Sequence, residues 1–137
     1  MNIGHIENGI VLDHITAGNG MNIYNVLNLG KLDCTVALIK NADSPKMGKK
    51  DIIKISTLLD LDLDVLGYLD PGITVNIVRD GKVEERRRLE LPQRVVGVIK
   101  CKNPRCITSV EQEIVHEFKL TDPVKKVYRC IYCEQKA

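Results

Sequence analysis

The chain has no tryptophan, one phenylalanine and four tyrosines in 137 residues. Proteins that hold single-stranded nucleic acid stack bases on aromatic rings, and this composition leaves few rings for the purpose. A charge excess of one sign is also missing, because 20 Lys and Arg against 18 Asp and Glu leave a net +2. A protein that coats a phosphate backbone usually carries a stronger basic surplus. No segment approaches the roughly 18 apolar residues of a membrane span. The start, Met1 to Gly9, has no basic patch followed by an apolar run. There is no internal repeat, low-complexity segment, phosphate loop or nucleophile–base pair. These absences predict a cytoplasmic protein that has no membrane or nucleic-acid partner and is not an enzyme.

What remains is ordinary for a globular chain, 44% hydrophobic and 28% charged. The length suits one domain or two small ones. Gly9 to Ile15 reads as a strand. Met21 to Leu29 reads as a helix through Ile23, Val26 and Leu27, with Gly30 suited to its end. Cys34 to Ile39 is a short β-rich run, and Asn41 to Lys49 a polar loop. From Asp51 to Ser56, Ile53 and Ile55 fall on one strand face and Lys50, Ile52 and Lys54 on the other. Asp60 to Tyr68 has helical spacing and stops at Asp70-Pro71-Gly72. Thr74 to Arg79 and Lys82 to Leu89 form a hairpin about Asp80-Gly81. The order β-α-β-β-α-β plus a hairpin strand predicts an α+β, ferredoxin-like N-terminal domain, an antiparallel sheet with two helices on one face. The other face is left for a partner or for polar groups.

Pro92 marks a break, giving domains 1–92 and 93–137. The second is a small β-rich unit with expected strands at Arg94–Lys100, Ile114–Leu120 and Lys126–Arg129. A unit of about 45 residues seldom folds on its core alone, and a metal is a usual staple. Cys101 and Cys106 form one close pair, Cys130 and Cys133 another, with 23 residues between the pairs. Two thiolates on each of two tight turns make a closed tetrahedral cage, which predicts one structural zinc per chain. Two disulfides, a Cys130–Cys133 redox pair or four ordinary thiols are the other readings. A reducing compartment disfavours the disulfides, and no helix start follows Cys133 to support a redox pair. Cys34 reads as a buried core thiol, and His116 as a partly buried or surface histidine alternating with Ile114 and Phe118.

In combination these features resemble the aspartate carbamoyltransferase regulatory chain family. The resemblance rests on Ile10-Val-Leu-Asp-His-Ile15, Met47-Gly-Lys-Lys-Asp-Ile-Ile-Lys-Ile55, Pro71-x-x-Thr-Val-Asn76, Leu91-Pro92 and the Cys-x4-Cys, x23, Cys-x2-Cys spacing, and runs from about residue 6 to residue 134. It implies a non-catalytic chain that dimerises and bridges catalytic chains in pyrimidine biosynthesis. It also implies an N-terminal domain that binds CTP or ATP as allosteric effectors and a zinc domain that docks on the catalytic chain.

The resemblance further implies an effector site. Lys54, with Lys50 on the same strand face, would meet the nucleotide. Asp13 would lie near the ribose, followed by His14. Asn76 and Val78 would line the base and ribose pocket, with Val83 on the partner strand. Ile6, with Ile3, Gly4 and His5, would supply backbone contacts to the base. Arg86 stands where the family pattern has a lysine for the triphosphate; a one-residue register error would hand that role to Arg87 or Arg88, although the three do not share one face. Gly81 stands where that pattern has a tyrosine. Asn103 and Glu134 match positions that meet the catalytic chain. The rival reading is a zinc-ribbon nucleic-acid-binding protein, for which Lys100, Lys102, Arg105, Lys125, Lys126 and Arg129 around the cage would supply the charge. A second rival, an enzyme of nucleotide metabolism, lacks an open metal position.

Overall fold

The computed structural model describes residues 6–137. Two compact units divide the chain, one ending at Glu90 and the other running from Leu91 to Ala137. In the first, β1 (Gly9–Thr16) is followed by α1 (Gly20–Val26), β2 (Val36–Ser44), β3 (Gly48–Ile55), α2 (Leu63–Leu69), β4 (Thr74–Arg79) and β5 (Lys82–Arg88). The strands form one antiparallel sheet in the order β2-β3-β1-β4-β5. This is the expected ferredoxin-like α+β arrangement with β5 added at one edge.

Strand alternation decides what each face carries. Ile10, Leu12, Ile53, Ile55 and Val75 are buried in one cluster with Ile23 of α1 and Leu66 of α2. The intervening residues Val11, Lys54 and Asn76 therefore belong to the opposite face. A cleft lined by Ile10, Leu61, Val75, Ile77 and Arg87 lies on the cluster side, and of the candidate site residues only the alternative Arg87 lines it.

The elements differ from expectation in places with a local cause. α1 ends at Val26 rather than Leu29, because Asn28 takes the left-handed conformation that closes it (φ 55°), and Gly30 falls inside a short 3-10 turn. Asp62 caps α2 by accepting the Asp64 and Val65 N–H groups at 3.1 and 3.2 Å, so the helix starts at Leu63 rather than Asp60. Cys34 precedes β2 and is only half-buried against the core, not a fully buried strand thiol. The expected polar loop from Asn41 to Lys49 is instead the end of β2, a tight turn and the start of β3.

Both neighbours of β3 bulge at the same level. Asp13 and His14 of β1, and Lys40 and Asn41 of β2, each give two residues against one on β3. His14 and Asn41 both adopt positive φ, 59° and 57°. Asp51, fully buried on the core side of β3, organises this region. Its carboxylate accepts the Asn41 N–H at 3.0 Å and the Gly18 and Gly20 N–H groups at 3.0 and 2.9 Å. A Cβ on Gly20 would stand 2.8 Å from the Asp51 Oδ2, so only glycine fits there. Burial pushes the Asp51 carboxyl up, but the three N–H donors outweigh it and hold the group below its ordinary value.

The second unit has β6 (Arg94–Val96), α3 (Ile107–Val110), β7 (Glu117–Asp122) and β8 (Val127–Cys130), the strands pairing in that order. β6 stops at Val96 because Gly97 turns left-handed (φ 72°), so the strand does not reach Lys100. β7 starts at Glu117 rather than Ile114, so Ile114 and His116 do not alternate with Phe118 on a strand. Val95, Phe118, Leu120 and Tyr128 are the buried apolar side chains. The Tyr128 hydroxyl donates to the Pro92 carbonyl at 2.7 Å.

Candidate metal centre and candidate effector face

The four paired cysteines come together at the end of the small sheet. Cys101 and Cys106 flank a turn in which the Asn103 Oδ1 accepts the Arg105 N–H. Cys130 closes β8, and Cys133 follows in a turn. The Cys101–Cys133 and Cys106–Cys130 Sγ distances are 3.5 and 3.7 Å, and all four sulfurs lie within 4.8 Å of one another. A disulfide needs about 2.05 Å, so these are separate thiols. A tetrahedral ion bound at about 2.3 Å separates its sulfurs by roughly 3.8 Å, and these two pairs are close to that. Four such ligands fill a tetrahedral shell and leave no position for a substrate.

The surroundings prepare the sulfurs unequally. The Thr108 hydroxyl donates to the Cys106 Sγ at 3.1 Å, and this bond with the Thr108 N–H pulls the Cys106 thiol down to about 7 against the burial that opposes it. Burial pushes the Cys101 thiol up to about 12 and the Cys130 thiol above its ordinary value. Backbone N–H groups also reach Cys101, from Asn103, and Cys130, from Tyr132 and Cys133. His116 is not a ligand; its Nδ1 accepts the Cys101 N–H at 2.9 Å, which puts the ring proton on Nε2. The sequence spacing identifies the four sulfurs, but nothing in it links Thr108 or His116 to them.

In the first unit, ladder register aligns Lys54, Val11, Asn76 and Arg86 in one row across β3, β1, β4 and β5. The Arg86 Nε–H donates to the Asn76 Oδ1 at 2.9 Å. In the next row Asp13 faces Thr74, and Thr74 faces Arg88. Lys50 Nζ lies 2.9 Å from the Asp13 carboxylate, and both side chains are largely covered. Burial pushes Asp13 up, but Lys50 and the His14 N–H, 2.7 Å away, hold it below its ordinary value. The His14 Nδ1 is 3.2 Å from the Thr74 hydroxyl.

Val78 is buried and pairs with both Gly9 and Val83, the last half exposed. Ile6 packs beside Gly9, where an added Cβ would meet the Ile6 Cγ2 at 3.0 Å and the Ile55 carbonyl oxygen at 2.0 Å. Ile3, Gly4 and His5 lie outside the described residues. Residues 76 to 88 thus set Asn76, Val78, Arg86 and Arg88 on the open face, whereas Arg87 faces Val75 on the helix side and pairs with Glu85. Val11 and Thr74 were not expected at this site, although alternation from Asp13 and Asn76 would have found them. Together the groups offer cations, a carboxylate acceptor and an apolar strip on one surface, the means to hold a polyanion that also carries hydroxyls and a flat ring.

A ferredoxin-like α+β unit followed by a four-cysteine metal-binding unit is the class of protein that the fold and the cage define. The family description "Aspartate carbamoyltransferase regulatory chain, allosteric domain" matches residues 1–90, and "Aspartate carbamoyltransferase regulatory chain, metal binding domain" matches residues 93–137. The chain is 55% identical over 135 residues to the aspartate carbamoyltransferase regulatory chain of Clostridium acetobutylicum, covering 98% of this chain and 92% of that one. It is 52% identical to that of Clostridium tetani, with 98% and 94% covered, and 44% identical to that of Bifidobacterium longum, with 100% and 99% covered. The chain belongs to the aspartate carbamoyltransferase regulatory chain family, whose members are non-catalytic subunits. Among the described residues no helix is long and apolar enough to cross a membrane.

Proposed function

We propose that this chain is the cytoplasmic regulatory subunit of an aspartate carbamoyltransferase and controls the catalytic chains of pyrimidine biosynthesis in response to CTP and ATP. The observation that carries the reading is the row Lys54–Val11–Asn76–Arg86, beside the Asp13–Lys50 pair, on the sheet face the helices leave open. Lys54, Arg86 and Arg88 would take the triphosphate as charge-assisted donors. Asp13 would accept from the ribose hydroxyls, with His14 alongside. Val78, Val83, Ile6 and the Asn76 amide would border the base. Residues 1–92 would serve as the effector domain and 93–137 as the docking domain, two chains pairing as a homodimer.

Zinc is the ion proposed for the cage, because four thiolates in a closed tetrahedral set suit a soft, redox-inert cation. It would carry no chemistry. Its work would be to hold the half-buried Asn103 and the exposed, positive-φ Glu134 in the shape that the catalytic chain meets. Nucleotide can act on the catalytic chains only by binding two quaternary states unequally, and couplings of this kind are commonly about 1–3 kcal/mol.

The test is calorimetric titration of the chain with CTP and with ATP, repeated on Lys54→Ala. Binding by the parent chain, at least tenfold weaker in the variant, is expected, with unchanged co-elution with the catalytic chain. Equal affinity in the two proteins would remove Lys54 from the site, and no binding by the parent would sink the effector reading.

A further inference from the structure

Thr108 is 2% exposed, yet its side chain carries a hydroxyl. A buried hydroxyl needs a partner, and this one has turned from its own helix to a sulfur. Cys106 stands at the N-cap of α3, and Thr108, two residues on, donates from Oγ1 to the Cys106 Sγ at 3.1 Å. A neutral thiol is a weak acceptor. A metal-bound thiolate carries negative charge, and hydrogen bonds to charged acceptors are roughly twice as strong as neutral ones. The same contact is thus worth more when the cage is loaded than when it is empty. A contact that favours one of two states shifts the equilibrium toward that state.

Four thiolates around a divalent cation also leave two negative charges in a site where Cys106 and Cys130 are almost wholly buried. Backbone N–H donors offset part of that charge at Cys101, Cys106 and Cys130. The Thr108 hydroxyl adds a side-chain donor at the most enclosed end of the cage. We infer that Thr108 is a positioning residue of the metal centre, its hydroxyl fixing the Cys106 sulfur toward the ion and raising metal affinity.

This inference rests on the reading of the four cysteines as a metal centre, and the experiment separates the two. The full chain is prepared metal-free under reducing conditions and titrated with Co2+. The sulfur-to-cobalt charge-transfer bands are recorded, and the affinity is read by competition with a chelator. Thr108→Val keeps the shape and removes the hydroxyl; Thr108→Ser keeps the hydroxyl and removes the methyl. The parent should show a four-thiolate spectrum. Thr108→Val should bind about tenfold to a hundredfold more weakly, with its charge-transfer bands displaced, and Thr108→Ser should return to within a few-fold of the parent. If the valine variant cannot be loaded, Thr108→Ala replaces it with the same expectations. A hydroxyl-free variant with parental affinity and bands would overturn the inference and leave the metal centre standing. A serine variant as weak as the valine one would also overturn it, since packing would then be the cause. A parent chain that takes up no cobalt would overturn the metal centre and the inference together.

Discussion

The Arg86 guanidinium donates through Nε to the Asn76 carboxamide oxygen, one strand away at 2.9 Å. Asn76 is nearly buried, whereas Arg86 keeps part of its surface open to the same face as Lys54. The bond uses Nε and leaves the two terminal nitrogens of the fork for another acceptor. Arg86→Ala should therefore weaken CTP and ATP binding about tenfold or more, through loss of a charge-assisted contact. Arg86→Lys should recover only part, because a point charge replaces a planar fork. Asn76→Ala should also weaken binding, by freeing the Arg86 side chain. Calorimetric affinities for the three variants check the ordering; a lysine variant equal to the parent would show that charge alone is used.

Asp51 ties the start of α1 and the β2 bulge to β3 from inside the core. Asp51→Asn would put an amide where three N–H donors converge, and should destabilise the first unit by about 3 kcal/mol at neutral pH. The folded carboxyl sits below the ordinary value of 3.8. Its stabilisation is therefore fully present above that value and is lost as pH falls through the lower folded value. Urea unfolding at pH 7 and at pH 3 should show a wide gap between parent and variant at pH 7 and a narrower one at pH 3. A gap that does not change with pH would mean that the amide's misfit, rather than the charge, sets the cost.

Some of this architecture is legible in the sequence and some is not, for identifiable reasons. The β4–β5 hairpin is plain because Asp80-Gly81 sits between two β-rich runs, and both turn residues adopt the expected positive φ, 51° and 76°. The β2–β3 hairpin is hidden because Asn41 to Lys49 is polar and mostly exposed, so it reads as a loop. The family resemblance supplied Lys54, Asp13, Asn76 and Arg86, and register shows how they are arranged. Lys54, Asn76 and Arg86 share a row, and Asp13 is already paired with Lys50. The cage ligands follow from spacing alone. Thr108 and His116 do not, because their roles depend on a four-residue helix and on the path of the chain between Gly97 and Cys101.

Metal uptake should release protons. Near pH 7.5 the metal-free chain keeps the Cys101 thiol protonated, pushed up to about 12 by burial, and Cys130 likewise lies above its ordinary value. Bound thiolates must be deprotonated, so Cys101 and Cys130 each give up a proton on binding, and affinity falls as pH falls. Zinc titrations in two buffers of different ionisation heat should give different apparent enthalpies, and the difference counts the protons. Equal enthalpies in the two buffers would contradict the proton release.

Chelation should unfold one unit and spare the other. Besides its cysteines, the second unit buries few side chains among the described residues: Val95, Phe118, Leu120 and Tyr128, with Pro92 and Thr108. Structural zinc contributes about 10 kcal/mol or more in small zinc-finger peptides, comparable with the whole stability of a typical domain. The first unit has a core of ten buried apolar residues and no cysteine of the cage. Stripping the metal under reducing conditions should make residues 91–137 sensitive to protease while residues 6–90 stay resistant and still bind nucleotide. Because the docking surface proposed around Asn103 and Glu134 lies on the stripped unit, co-elution with the catalytic chain should disappear at the same chelator concentration. Retained co-elution alongside proteolysis of residues 91–137 would move the docking surface to the first unit.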